Sequence, residues 1–315
     1  MLRRTSVATL AALTLAVLAS GCGSDSSSWA GIEVDFTTSD SGPSWSPDGK
    51  LIAFASNRDG GGIFVVPPDG QGIKRLTATA GARNPEWSPD GKQIVFESPE
   101  GVHVMSSTGA GARLLVPVTR QGERAVWPQW SPDGRRIAFV RPLADGSHAI
   151  FVVGRAGGEP TRLLEPAISP NDPNWSILNA SEVTPSWSPD GKEIAYDSGD
   201  GVLVVATIAN SERRTIGSEG AAFQPAWSPD GKEIAFQCAG NLCVANLVSH
   251  GLRTLLGDAG SPGWAPDGER MAVERYLYGA GGAATSSPMA IYTVEAHEEG
   301  GTPVTFGPGE VEQDS

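Results

Sequence analysis

The sequence predicts an all-β fold: a six-bladed β-propeller of four-stranded antiparallel blades. Three observations predict it. The first is a repeat. Trp-Ser-Pro-Asp-Gly stands at Trp45–Gly49, Trp87–Gly91, Trp130–Gly134, Trp187–Gly191 and Trp227–Gly231, and Trp264–Gly268 reads Trp-Ala-Pro-Asp-Gly. The second is the spacing. Successive copies are about 40 residues apart, room for four short strands, except between Trp130 and Trp187, where the interval is longer. The third is composition. With 40 Gly and 24 Pro among 315 residues, the chain suits many turns and short strands better than long helices.

Each copy is a hairpin in outline. Proline presets φ, aspartate bonds the backbone beyond it, and glycine accepts a positive φ, so Pro-Asp-Gly is a turn. A Pro stands two residues before each Trp, from Pro43 to Pro262, and a short apolar run follows each turn, Ile52-Ala53-Phe54 in the first repeat. The first strand (A) of each repeat therefore ends at the Trp. The remaining strands (B, C and D) are expected at Leu51–Ser56, Ile63–Val66 and Ile73–Thr77 in repeat one, and at Val95–Ser98, Val102–Ser106 and Ala112–Val116 in repeat two. Repeat three gives Ile137–Arg141, Ala149–Gly154 and Thr161–Glu165, and repeat four Ile194–Ser198, Val202–Thr207 and Arg213–Gly217. Repeat five gives Ile234–Cys238, Leu242–Asn246 and Leu252–Leu256, and repeat six Met271–Tyr276, Ala290–Glu295 and Thr302–Gly307. Ile32–Thr37 also reads as a D strand, so it competes with Thr302–Gly307 to complete the sixth blade. Pairing the two chain ends there would close the ring and protect an edge.

The N-terminus reads as a targeting segment. Arg3 and Arg4 precede an apolar stretch, Ala8 to Ala19, too short to span a bilayer comfortably. It ends Leu18-Ala19-Ser20-Gly21-Cys22, which resembles a bacterial lipobox, with Ala19 where Leu is commoner. The resemblance implies cleavage before Cys22 and acylation of that cysteine; an ordinary secretory peptide is the alternative. The organisation expected is a signal peptide over 1–21, a lipidated Cys22 and flexible tether over 22–30, the propeller over 31–308 and an acidic tail over 309–315. The other cysteines, Cys238 and Cys243, flank a loop in repeat five. In an exported protein they make either a cross-hairpin disulfide or two buried thiols.

The repeat resembles that of the TolB-type propellers, whose recurrent core is Pro-x-Trp-Ser-Pro-Asp-Gly-Lys-x-Ile-Ala-Phe. It stands almost unaltered at Pro185-Ser186-Trp187-Ser188-Pro189-Asp190-Gly191-Lys192-Glu193-Ile194-Ala195-Tyr196. The likeness covers roughly 43–306. Only the tether precedes the first blade, so the expectation is likeness to the TolB propeller without the amino-terminal α/β domain of that family.

Net charge is −13, which argues against a nucleic-acid partner. The four histidines are scattered over different repeats, and neither a zinc-protease motif, a nucleophile elbow nor a phosphate loop occurs. No enzyme, no cofactor and no metal are expected. The repeated aspartates Asp48, Asp90, Asp133, Asp190, Asp230 and Asp267 read as turn residues at blade tips, expected to diverge and so unable to share an ion.

Function is therefore sought where the repeats differ. Alternating strand direction puts the D-to-A and B-to-C loops on one face and the Pro-Asp-Gly turns on the other. Both insertions, around Ser169–Ala180 and Leu277–Pro288, fall on the first face. So do the candidate binding residues Arg83, Asn84, Arg124, Trp127, Trp175, Glu182, Thr184, Phe223 and Gln224. Trp175 is an exposed aromatic anchor, and Arg83 and Arg124 suit a carboxylate or other anion. The reading is a monomeric, exported module, lipid-anchored to a bacterial membrane and facing the periplasm or cell exterior. It would bind a protein, peptide or glycan of the cell envelope. The alternative is an envelope polysaccharide lyase or hydrolase on a propeller scaffold.

Overall fold

The computed structural model describes residues 38–118, 124–144, 147–164, 183–198, 201–216, 222–276, 289–296 and 302–303. Blade one is β1 (Asp40–Trp45), β2 (Ile52–Ser56), β3 (Gly62–Val66) and β4 (Lys74–Thr77). Blade two is β5 (Arg83–Trp87), β6 (Gln93–Ser98), β7 (Gly101–Ser106) and β8 (Arg113–Pro117). Blade three is β9 (Val126–Trp130), β10 (Arg136–Pro142), β11 (His148–Gly154) and β12 (Thr161–Leu164). Blade four is β13 (Ser186–Trp187), β14 (Glu193–Asp197), β15 (Leu203–Thr207) and β16 (Arg213–Ile216). Blade five is β17 (Ala222–Trp227), β18 (Glu233–Cys238), β19 (Asn241–Asn246) and β20 (Leu252–Leu256). Blade six is β21 (Ala259–Trp264), β22 (Arg270–Tyr276), β23 (Met289–Glu295) and β24 (Thr302–Pro303). Every blade is a four-stranded antiparallel meander in chain order.

The first strand of each blade is innermost. It lies against the first strands of its neighbours, and β1 meets β21 to close the circle. The outer place in blade six is taken by Thr302–Pro303, paired with Tyr292 and Thr293. Ile32–Thr37, the competing segment, lies outside the described residues.

The apolar runs are explained by burial on both faces, since each blade is sandwiched between two others. Ile52, Ala53 and Phe54 are all fully buried. Six apolar clusters fill the six spaces between blades, and each contains or abuts one repeat Trp: Trp45, Trp87, Trp130, Trp187, Trp227 or Trp264. A buried aromatic of that size is worth roughly 3–5 kcal/mol against alanine, so the repeated Trp is what welds blade to blade.

The Pro-Asp-Gly turns have the expected chemistry. In blade one the Gly49 amide donates to the Ser46 carbonyl at 2.9 Å. The Ser46 hydroxyl donates to Asp48 Oδ1 at 2.7 Å and accepts the Leu51 amide at 2.9 Å, and Asp48 also accepts the Lys50 amide. Gly49 has φ 70°, which a side chain would resist. One expectation fails. The tips do not diverge: Gly91 rests on Pro47, Gly134 on Pro89, Gly191 on Pro132, Gly231 on Pro189, Gly268 on Pro229 and Gly49 on Pro266. The turns belong to the innermost strands, so closing the ring brings them together. Each carboxylate nevertheless bonds within its own turn, and Asp90 in addition bonds Arg155 of blade three. Among the described residues, no cluster of His, Cys, Asp and Glu could hold a metal.

Cys238 and Cys243 form a disulfide across the β18–β19 hairpin. The loop is shorter than expected, because Cys238 pairs with Asn241 and leaves only Ala239 and Gly240 in the turn. Both have positive φ, the geometry of a tight hairpin turn. No helix among the described residues is long and apolar enough to cross a membrane.

Candidate functional site

The site is built from the residue three places before each repeat Trp. These are Gly42, Asn84, Trp127, Thr184, Gln224 and Ser261, one from each blade. Five of the six have a left-handed backbone, with φ 61°, 49°, 53°, 53° and 47° for Gly42, Asn84, Trp127, Gln224 and Ser261. The strand register shifts across this point, between Ser41 and Ser44, Arg83 and Glu86, Phe223 and Ala226, and Gly260 and Gly263. Outside blade four, the inner strands therefore bulge just before their proline. A left-handed conformation is unfavourable for a residue bearing a side chain, by about 1–2 kcal/mol.

Captured amides offset that cost. The Trp127 amide donates to Glu97 Oε2 at 2.8 Å, and the Gly42 amide donates to Glu274 Oε1 at 2.6 Å. Ser261 donates to Gln224 Oε1 at 2.9 Å, and Thr184 to Asp197 Oδ2 at 3.1 Å. The Glu274–Gly42 bond joins blade six to blade one. One step along the strand, a second set of bonds links the blades. Ser44 accepts the Trp87 amide at 3.3 Å, Glu86 accepts that of Trp130, and Ser186 accepts that of Trp227 at 3.1 Å. The free edges of β5, β9 and β17 are thus bonded by side chains of the neighbouring blade.

This ring stands between two connected spaces. An axial cavity of about 310 Å³ runs inward, lined by the ring residues and the six repeat tryptophans. A wider mouth of about 820 Å³ opens on the D-to-A and B-to-C side. Arg83, Asn84, Arg124, Trp127 and Gln224 all line the mouth, and Asn84, Trp127 and Gln224 also reach the axial cavity, where Thr184 joins them. Six of the candidate residues thus line one or both of these two spaces. Phe223 is not among them; it is half-buried on β17 opposite Gln237. Trp175, Glu182 and both insertions lie outside the described residues.

Sequence reading missed the carboxylates beneath the ring. Glu97, Asp197 and Glu274, with Gln237, follow directly on the apolar run of strand B, where blades one and three have Ala55 and Val140. Aligning the repeats one residue further would have exposed an acidic residue inside a buried strand. Burial pushes Glu97 up from the ordinary glutamate range, against the Trp127 amide and the Arg124 guanidinium. Arg124 bonds Glu97 Oε1 at 3.0 Å, and Arg83, which is exposed, adds its charge nearby. Burial raises Glu274 as well, with Gly42 and Ser261 bonding it. Glu86, facing the axial cavity, is pushed well above the usual range by burial, opposed only by the Trp130 amide. The blade two–three side of the mouth thus carries two guanidinium groups over one carboxylate and favours an anionic group.

A Ser–His–Glu grouping elsewhere does not make a catalytic triad. Ser98 Oγ lies 2.9 Å from His103 Nε2, but the Glu100 carboxylate approaches the same nitrogen, at 3.9 Å. A triad needs the acid and the nucleophile on different nitrogens. His103 stacks on Phe96 with centroids 5.2 Å apart, and burial lowers its pKa. It is a packed residue, as its strand position suggested.

With this geometry in hand, likeness to known proteins can be judged. A short stretch of 37 residues is 54% identical to the Tol-Pal system protein TolB of Syntrophus aciditrophicus. It covers 11% of this chain and only 8% of that protein. TolB from Acinetobacter baumannii superposes with a TM-score of 0.62 at 18% identity, over 88% of this chain and 66% of that one. A TolB described as putative, from Agrobacterium tumefaciens, gives 0.60 at 20%, over 75% and 86%. The chain shares the propeller fold of these TolB proteins. The fold is shared more widely: an oligogalacturonate lyase in complex with manganese superposes at 0.57 and 14% identity, over 86% of this chain and 78% of that one. No family model matches the chain.

Proposed function

We propose that the chain is an envelope binding module that holds a partner at the mouth of the axial channel and performs no catalysis. The observation that carries this is the bulged ring: six residues at one repeat position, each different, displayed around an opening on an otherwise uniform scaffold. Keeping four side-chain-bearing residues left-handed there is a local expense that a merely structural strand end would not need. Arg83 and Arg124 favour a partner that presents a carboxylate or other anion, whether a protein segment, a peptide or an acidic glycan. A protein comes first, because the relative that matches in sequence is named for the Tol-Pal system. The mature chain, used as bait on envelope extract, should retain a partner. Arg83→Ala and Arg124→Ala should each weaken that retention while thermal unfolding stays cooperative. Retention equal to the parent in both variants would overturn the reading.

Attachment to a membrane through acylated Cys22 belongs to the same proposal, supported by the charged, apolar and small-residue stretch that ends at that cysteine. Cys22→Ala should move the protein from the membrane fraction to the soluble one. The second reading, a polysaccharide lyase or hydrolase, draws on the likeness to an oligogalacturonate lyase. It predicts turnover of an acidic polysaccharide by the purified chain, which a lyase and glycosidase screen would detect.

A further inference from the structure

The face with the Pro-Asp-Gly turns is uniform except in one place. The residue just before each strand-B apolar run lies beside the Trp of the next blade. In blades three and six it is arginine: Arg136 lies over Trp187 at 5.3 Å and Arg270 over Trp45 at 5.2 Å. In blade two it is Gln93, held at 2.7 Å by Arg155, which itself covers Trp130 and bonds Asp90. In blades four and five it is glutamate: both oxygens of Glu193 are bonded by Arg214, and both of Glu233 by Arg253. Three of the six junctions thus carry an arginine over the facing Trp, and two more carry a glutamate held by an arginine. In blade one the residue is Leu51. Among the described residues no arginine lies over the facing Trp87.

A cleft of about 700 Å³ opens there. Strand register accounts for its floor. Ala53 pairs with Val65 and Val65 with Lys74, so Leu51, Val65, Lys74 and Leu76 share the side of blade one that faces blade two. Trp87 and the prolines Pro47 and Pro89 complete the wall. Leu51 and Leu76 are half-buried with nothing closing over them, at the end of an otherwise filled apolar interface. The charges at the rim are unequal. Asp48 is paired with Lys50 and Asp90 with Arg155, whereas Lys74 is exposed and has no carboxylate partner among the described residues. A mostly apolar space of this size with a few polar groups at its edge has the make-up of a small-molecule site.

We propose that this cleft binds a small amphipathic carboxylate, its alkyl or aryl part against Leu51, Leu76 and Trp87 and its anionic end at Lys74. The site is independent of the channel mouth, which opens on the opposite face. Octanoate, octanol and octylammonium are the probes, added to the full mature chain carrying Cys22→Ala so that no anchor lipid is present; binding is read by calorimetry and by tryptophan fluorescence. Octanoate should bind saturably, octanol about tenfold more weakly and octylammonium not measurably. Lys74→Ala should bring octanoate to the level of octanol. Leu51→Arg installs the arginine that blades three and six already carry and should abolish octanoate binding. Leu51→Gln, the residue type of blade two, is the second variant should the arginine disturb folding. Absence of saturable octanoate binding in the parent, unchanged binding in the folded Leu51 variant, or octylammonium binding as tightly as octanoate would each overturn the proposal.

Discussion

The two ends of the axial channel are built from the same twelve-residue repeat and solve opposite problems. At the turn end, six Pro-Asp-Gly corners touch glycine to proline around a closed circle, and each aspartate bonds a backbone or hydroxyl group of its own turn. At the other end, three residues before the same Trp, the backbone turns left-handed in five blades and six different residues line the axial cavity. Identical corners can be welded because identity gives the same contact six times. A ring that must recognise something has to break the repeat, and the captured amides let it do so without loosening the inner strands. The cleft beside Leu51 teaches the same lesson in miniature: where the turn end loses its arginine, a space appears.

The largest test of that contrast lies within one strand. Trp130→Ala should cost roughly 3–5 kcal/mol in a denaturant melt, because the indole sits in the closed interface between blades two and three. Trp127→Gly, three residues away at the mouth, should cost about 1 kcal/mol or less, since glycine accepts the left-handed backbone. Equal losses would mean that the mouth is as structural as the weld.

Next is ring closure. Glu274→Ala leaves the Gly42 amide without its acceptor between blades six and one, and should cost about 1–3 kcal/mol. Glu274→Gln keeps an acceptor and should cost less. Glu274 has its folded pKa raised by burial, so the stability it contributes is present at low pH and is lost as pH rises through that pKa. The parent should therefore gain on the Gln variant as the pH of the melt is lowered from neutral towards 5. A gap that narrows instead would contradict burial as the cause.

The turn end should respond to acid with the opposite sign. Asp90, Asp190 and Asp230 are lowered to about 2, Asp90 chiefly by the Ser88 hydroxyl and the other two chiefly by the Lys192 and Lys232 amides. Their contribution is full above the unfolded-state pKa and is lost as pH falls from about 4 towards 2. Asp190→Asn should flatten part of that fall. The smallest effect is expected at the exposed lysines. Lys50→Ala and Lys192→Ala remove ion pairs whose side chains are more than half exposed, so stability should move by less than about 0.5 kcal/mol and partner retention not at all. Loss of partner with these variants, but not with Arg83→Ala or Arg124→Ala, would place the working face at the turn end.

Much of this was legible beforehand, and the exceptions share a cause. The six hairpins, the buried Ile-Ala-Phe runs and the turn role of the aspartates rest on contacts a few residues apart, which spacing and turn chemistry reveal. The paired Cys238 and Cys243 were legible as a choice between bridge and thiols, and proximity across a tight hairpin decided for the bridge. Phe223 was grouped with Gln224 by adjacency in sequence, and it lies half-buried on β17 opposite Gln237 instead. Glu97 and Glu274 were passed over because their partners, Trp127 and Gly42, come from other blades.

By itself, the sequence determined the number of blades, their internal order and the face on which the repeats differ. Those properties follow from local turns and from a Trp that must be buried at a fixed interval. Tertiary structure alone decided that the turn tips meet, that the left-handed Gly42, Trp127 and Ser261 have their amides captured by side chains of another blade, and that Leu51 leaves a cleft. Each depends on which side chain the neighbouring blade delivers, and that is fixed only when the ring closes.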